Sequence, residues 1–125
     1  MMINIDKLSW KIPDKERYAY IMTIQNLSDN DIKAIIMPAF RQDCWEGCAS
    51  LLAALDDKRF IPLLPQLLQW YMDMNWPGFE IMDRRIRDLP KEQMKPAVLN
   101  ALEKARTTND EEWYENLSYS FSWMA

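Results

Sequence analysis

The chain has no histidine among its 125 residues. Ser-His-Asp and Cys-His nucleophiles, imidazole acid/base chemistry and histidine-ligated metals are therefore excluded. Catalysis by carboxylate or lysine stays open. Cysteine is nearly as scarce: Cys44 and Cys48 alone cannot complete a four-ligand zinc shell. They read as small buried hydrophobes of a reducing compartment. No metal or cofactor is expected. No apolar run approaches the roughly 18 residues of a membrane span. The start, "MMINIDKLSWKIP", lacks a basic n-region, an apolar stretch and a small-residue cleavage site. A cytoplasmic location without membrane contact is expected. Basic charge is also short. A net charge of −4 has the wrong sign for holding phosphate backbones, which disfavours nucleic acid as a partner.

Only two glycines stand against nine methionines and six tryptophans. Sandwiches and barrels use glycine freely at their turns, so this balance argues for helices. With 49% apolar and 27% charged residues, the chain has the composition of one ordinary globular domain. Residues 1–13 show no sustained period and read as an irregular N-terminal arm. Helical spacing follows. The first stripe is Tyr20, Ile21, Ile24 and Leu27. Ser28 with Asp31 reads as a capping box before Ile32, Ile35, Ile36, Ala39 and Phe40. Asp43 with Glu46 reads as a second cap, ahead of Trp45, Cys48, Leu52 and Leu55. Later stripes are Phe60, Leu64, Leu67 and Tyr71; Phe79, Met82, Ile86 and Leu89; and Met94, Val98, Leu102 and Ala105. Asn109 and Glu112 read as cap partners before Trp113, Leu117, Phe121 and Met124. The expectation is an all-α chain of about seven helices.

A degenerate repeat underlies these stripes. Trp45, Trp76 and Trp113 each fall near a helix start, and Pro38, Pro65 and Pro96 fall inside other helices. A helix pair used three times, with a seventh helix closing the end, makes a HEAT-like α-solenoid of antiparallel pairs wound as a right-handed superhelix. The prolines would bend the second helices and so curve the stack.

Between two apolar stretches lies "DMNWPG" at 73–78. Pro77 suits the first turn of a helix beginning at Trp76 or Pro77. Asp73 or Asn75 would supply the capping oxygen, and the Trp76 indole would wedge between helices. Asn75, Trp76 and Pro77 thus read as a structural junction; a polar-aromatic ligand pocket is the competing reading. Trp70 and Tyr71 are neighbours on a helix and point in different directions. The expectation that both cannot be buried makes Trp70, Tyr71 and Asp73 candidate partner contacts. Arg84, Arg85, Arg87, Lys91 and Lys95 form a basic stretch, but Asp83, Asp88 and Glu92 interleave it. The i, i+4 pairs Asp83–Arg87 and Arg84–Asp88 make it a solvated face. The Asp110–Glu112 acids suit a helix N-terminus.

"LLPQLLQWYMDMNWPG" at 63–78 resembles the signature of a bacterial family known as the domain of unknown function 5071 family, with its "LPxLLxW" helix running into "DMNWP". "IP" at 12–13 and "DEEW" at 110–113 are similar to that family's start and end. The resemblance implies a compact HEAT-like stack and no known activity.

These readings point to a non-catalytic protein–protein interaction module, of scaffold or immunity type, with an unidentified protein partner and no assigned oligomeric state. The alternative is a small enzyme or nucleic-acid-binding repeat, with Asp or Glu as base and the Arg84–Lys95 stretch on phosphate.

Overall fold

A computed structural model describes residues 3–24, 26–36 and 41–124. Among them the chain is all-α and contains no strand: α1 (Asp14–Thr23), α2 (Asp29–Ile35), α3 (Trp45–Ala53), α4 (Asp57–Phe60), α5 (Leu64–Leu67), α6 (Phe79–Arg87), α7 (Lys91–Thr107) and α8 (Glu111–Ser120). Short 3₁₀ turns occupy Ile5–Leu8, Gln42–Cys44, Ile61–Leu63, Leu68–Met72 and Ser122–Met124. Pro38, Ala39 and Phe40 of the expected second stripe and repeat lie outside the described residues.

Local chemistry explains where the helices begin. Ser28 Oγ accepts from Asp31 N at 3.1 Å and Asp31 Oδ2 accepts from Ser28 N at 3.0 Å, the expected box. Two other expected caps are displaced. Asp110, not Asn109, caps α8, accepting from Trp113 N at 3.1 Å; Asn109 turns the chain with φ +58°, a left-handed angle that asparagine tolerates. Asp43 caps nothing. It lies within the Gln42–Cys44 turn, and its carboxylate accepts from Arg41 Nε at 3.3 Å. Where one proline-bent helix was expected, residues 57–72 alternate between α and 3₁₀. Pro62 and Pro65 remove two backbone donors three residues apart, which breaks the α ladder there. Pro96 lies inside α7, which continues through it.

The buried side chains form one cluster, and the expected stripes supply most of it. Phe60, Leu64, Leu67 and Tyr71 are fully covered, as are Met82, Ile86, Met94, Val98, Trp113 and Leu117. Helix α3 runs through the middle. Both of the chain's glycines mark where other segments press against it. A Cβ on Gly47 would lie 2.6 Å from Leu8 O and 2.8 Å from Leu8 Cβ, so this glycine lets the N-terminal arm seat on α3. The arm is tied down further by Trp10 N donating to Asp43 O at 2.8 Å and Ile3 N to Asp31 Oδ1 at 3.3 Å. Gly78, just ahead of α6, sits against Trp45, Glu46 and Ala49 at the start of α3. At its other end α6 sends Arg85 to the carbonyls of Ala53 and Leu55. Helices α3 and α6 therefore run in the same direction, with their N-termini side by side. Helices α7 and α8 form an antiparallel hairpin around Thr108–Asp110, and α5 packs on α7.

Candidate interaction site at the 73–79 junction

Two successive turns build the junction. Asp73 Oδ1 accepts from Asn75 N at 2.8 Å, and Asp73 O from Trp76 N at 3.2 Å. Trp76 O then accepts from Phe79 N at 3.0 Å. Gly78 has φ +87° and ψ −5°, the angles of the third residue of a type II turn, and Pro77 occupies the second position that such turns favour. This corrects the expected helix start. Pro77 shapes a turn rather than a first helical position, and α6 begins only at Phe79. Neither Asp73 nor Asn75 caps α6 as expected: the N-cap is Gly78, which has no side chain to cap with, and Asp73 Oδ1 is taken by Asn75 N in an Asx turn.

The turn holds Trp76 half-buried, its ring 4.9 Å from that of Trp45 in edge-to-face contact. Trp45 lies 5.6 Å from Trp70, so three indoles lead from the surface into the core. The expectation that Trp70 and Tyr71 cannot both be buried is overturned: each is 0% exposed. Trp70 Nε1–H donates to Ile36 O at 3.2 Å. Tyr71 packs between Phe79 at 5.0 Å and Phe121 at 5.2 Å, donates its hydroxyl to Asp83, and accepts at its carbonyl from Asn116 Nδ2 at 2.8 Å. Two adjacent residues can both be enclosed here because the Leu68–Met72 turn is wrapped from different sides by α3, α6, α7 and α8. Neither ring reaches a surface; Asp73 and Trp76 do.

Between the first turns of α3 and α6 the junction leaves a hollow of about 330 Å³, lined by Glu46, Met74, Asn75, Trp76, Gly78 and Glu80. Both glutamates sit where the helix dipole favours a carboxylate. Glu46 Oε1 also lies 3.8 Å from the guanidinium of Arg17, a nearly buried arginine that Asp14 holds at 2.8 Å. The local Asp14–Arg17 spacing was legible in "DKER". The reach of Arg17 from α1 to α3 had no sequence signal.

The basic stretch is divided among separate structural tasks. Arg85 donates to Ala53 O at 2.9 Å and Leu55 O at 2.8 Å, pairs with Asp57 at 2.7 Å, and lies 4.4 Å over the Phe60 ring. It thus satisfies carbonyls left open at the end of α3. Arg87 pairs with Asp83 at 3.0 Å, as expected, and lies over Phe121. Lys91 lies over Trp123 at 4.8 Å, while Arg84 and Lys95 are exposed. Arg84 and Asp88 form no ion pair among the described residues.

Cys44 and Cys48 are free and buried. Burial pushes the Cys44 thiol up to about 11 and the Cys48 thiol to about 12, so neither is a thiolate near neutral pH. Cys44 Sγ donates to Ile5 O at 3.2 Å, another tether of the arm. Among the described residues, no three Cys, Asp or Glu side chains come together as metal donors. No helix among them is long and apolar enough to cross a membrane.

The family model described as Domain of unknown function (DUF5071) matches residues 38–122, more than half of the chain, and the chain belongs to that family. No curated protein and no solved structure matches it. The junction, α3 and α6 lie within the matched residues; α1 with Arg17 precedes them.

Proposed function

We propose that this member of the DUF5071 family is a non-catalytic interaction module, a HEAT-like helical stack whose 73–79 junction and adjoining hollow meet a protein partner. One observation carries the reading. Trp76 stands half-exposed at the wall of a hollow, held by two turns and a glycine seat, with Glu46 and Glu80 beside it. Tryptophan on a rigid support, partly desolvated and rimmed by polar groups, is a preferred anchor of protein interfaces. Trp45, with Trp70 behind it, supports that anchor from the core side, and Asp73 shapes its turn. The acidic balance of the chain suits a basic partner, as an immunity-type protein would have; a scaffold is the other form such a module takes. The alternative, an enzyme or nucleic-acid-binding repeat, draws on a basic stretch in which Arg85 and Arg87 are already committed to carbonyls and carboxylates.

The test uses the purified protein as bait in lysate of its own organism at low and high salt, beside Glu80→Lys, Trp76→Ala and a distant control, Lys95→Glu. A stoichiometric partner retained by the wild type and the control, and lost with both junction variants while far-ultraviolet dichroism and cooperative unfolding stay native, supports the module. Equal retention by all four proteins would sink this choice of surface.

A further inference from the structure

Three arginines in this fold occupy the same kind of setting, a guanidinium over an aromatic face with a carboxylate at hydrogen-bond distance. Arg17 lies 5.4 Å over Tyr18 and 2.8 Å from Asp14. Arg85 lies 4.4 Å over Phe60 and 2.7 Å from Asp57. Arg87 lies 5.7 Å over Phe121 and 3.0 Å from Asp83. At the hollow the aromatic wall and the carboxylates are present: Trp76, Glu46 and Glu80. Among the described residues no lysine or arginine lies over the Trp76 ring. We infer that the hollow between α3 and α6 takes a cationic side chain of the partner, an arginine, laid along Trp76 between Glu46 and Glu80. This rests on the interaction reading above and specifies its chemistry.

Charge, ring and size agree. Asp14 and Arg17 offset one another, so Glu46 and Glu80 dominate the rim. The two helix N-termini return about half a charge each, which leaves the hollow negative by about one charge. Tryptophan has the most favourable ring for a cation, and a planar guanidinium both stacks on it and donates to carboxylates in its plane. A volume of about 330 Å³ is at the small end for ligand pockets, which suits one side chain rather than a larger molecule. The hollow is also preformed. Gly78 and the two turns set its wall before anything binds, so little ordering cost falls on the contact.

The test is a titration of the isotope-labelled full chain with N-acetyl-arginine amide, followed by amide and indole N–H resonances. N-acetyl-citrulline amide, nearly the same shape without the charge, is the control. The expected result is a saturable shift of the Trp76 indole N–H and of the Phe79 and Glu80 amides with the arginine compound only. Glu80→Gln should weaken that binding roughly two- to fivefold, the range of exposed ion pairs. An unmoved Trp76 resonance, equal shifts with citrulline, or unchanged affinity in Glu80→Gln would each overturn the assignment. If arginine leaves Trp76 unmoved while a partner is still captured through the junction, the cation assignment falls and the interaction module stands. If arginine binds as expected but no partner is captured, the cation site stands and the interaction module falls.

Discussion

Substitution of Gly78 by alanine perturbs the site through backbone and packing at once, and each part has a magnitude. With φ at +87°, the backbone is in the left-handed region, which costs a residue bearing a Cβ about 1–2 kcal/mol. The added methyl would lie 3.0 Å from Ala49 Cβ, Glu46 Cα and Trp45 O, two of them backbone atoms of a packed helix that cannot swing aside. Overpacking of this kind adds about 1–3 kcal/mol. The stabilisation that alanine can bring by restricting the unfolded chain is realised only at a compatible backbone angle, which this is not. A loss of about 2–5 kcal/mol follows from the two parts together. That is a large share of the roughly 5–15 kcal/mol expected for a whole domain. At about 3–5 °C per kcal/mol for a chain of this length, Tm should fall by roughly 6–25 °C. Urea and thermal unfolding would measure it, with the urea m value unchanged. Gly78→Asn separates the two parts, because asparagine tolerates the angle but carries the same Cβ. A loss below about 1 kcal/mol for Gly78→Ala would refute the argument that this glycine seats the junction on α3.

Other substitutions separate structural from surface roles. Gly47→Ala drives a methyl into Leu8, so it should cost about 1–3 kcal/mol and speed hydrogen exchange of residues 3–9. Arg85→Ala opens the Ala53 and Leu55 carbonyls and removes the ring contact, for a loss of about 2–4 kcal/mol, whereas Arg84→Ala should stay within about 0.5 kcal/mol. Equal effects in urea unfolding would contradict the division of the basic stretch. Bonds from Ser9 and then from Arg41 hold the Asp43 carboxyl at about 2, below its ordinary 3.8. Asp43 is therefore a source of stability that is complete above about pH 4 and lost as pH falls toward about 2. Asp43→Asn should flatten that limb of an acid titration. Both thiols should ignore a chromogenic aromatic disulfide reagent at mildly alkaline pH and react on unfolding; rapid reaction of Cys44 in the native protein would show that the arm does not cover it.

What sequence could reveal follows the range of the forces involved. Helical stripes such as Phe60, Leu64, Leu67 and Tyr71 depend on one period and appear intact in the core. The Ser28–Asp31 box is closed within four residues and was legible for the same reason. Asp43 shows where such a signal competes with a longer-range one. Its spacing to Glu46 fits a cap, yet Ser9 and Arg41 claim the carboxylate and a 3₁₀ turn takes its backbone. Trp70 and Tyr71 escape sequence reasoning because one helix cannot bury two adjacent directions against a single neighbour. Several elements surround this turn, and that is a property of tertiary structure. "DMNWPG" was recognisable as punctuation. Its turn type depends on the seat of Gly78 against α3, about thirty residues away in the chain, and the hollow with Glu46 exists only because α3 and α6 begin side by side.

The most direct measurement is hydrogen exchange of the protein alone and in complex with its captured partner. The account predicts new protection at residues 73–81 and at 45–47, with the stretch of α1 that carries the exposed Tyr18 and Met22, and the end of α8 with the turn after it that carry the exposed Tyr119 and Trp123, unchanged. Protection confined to α1 or to the end of α8, with the junction exchanging as before, would contradict it.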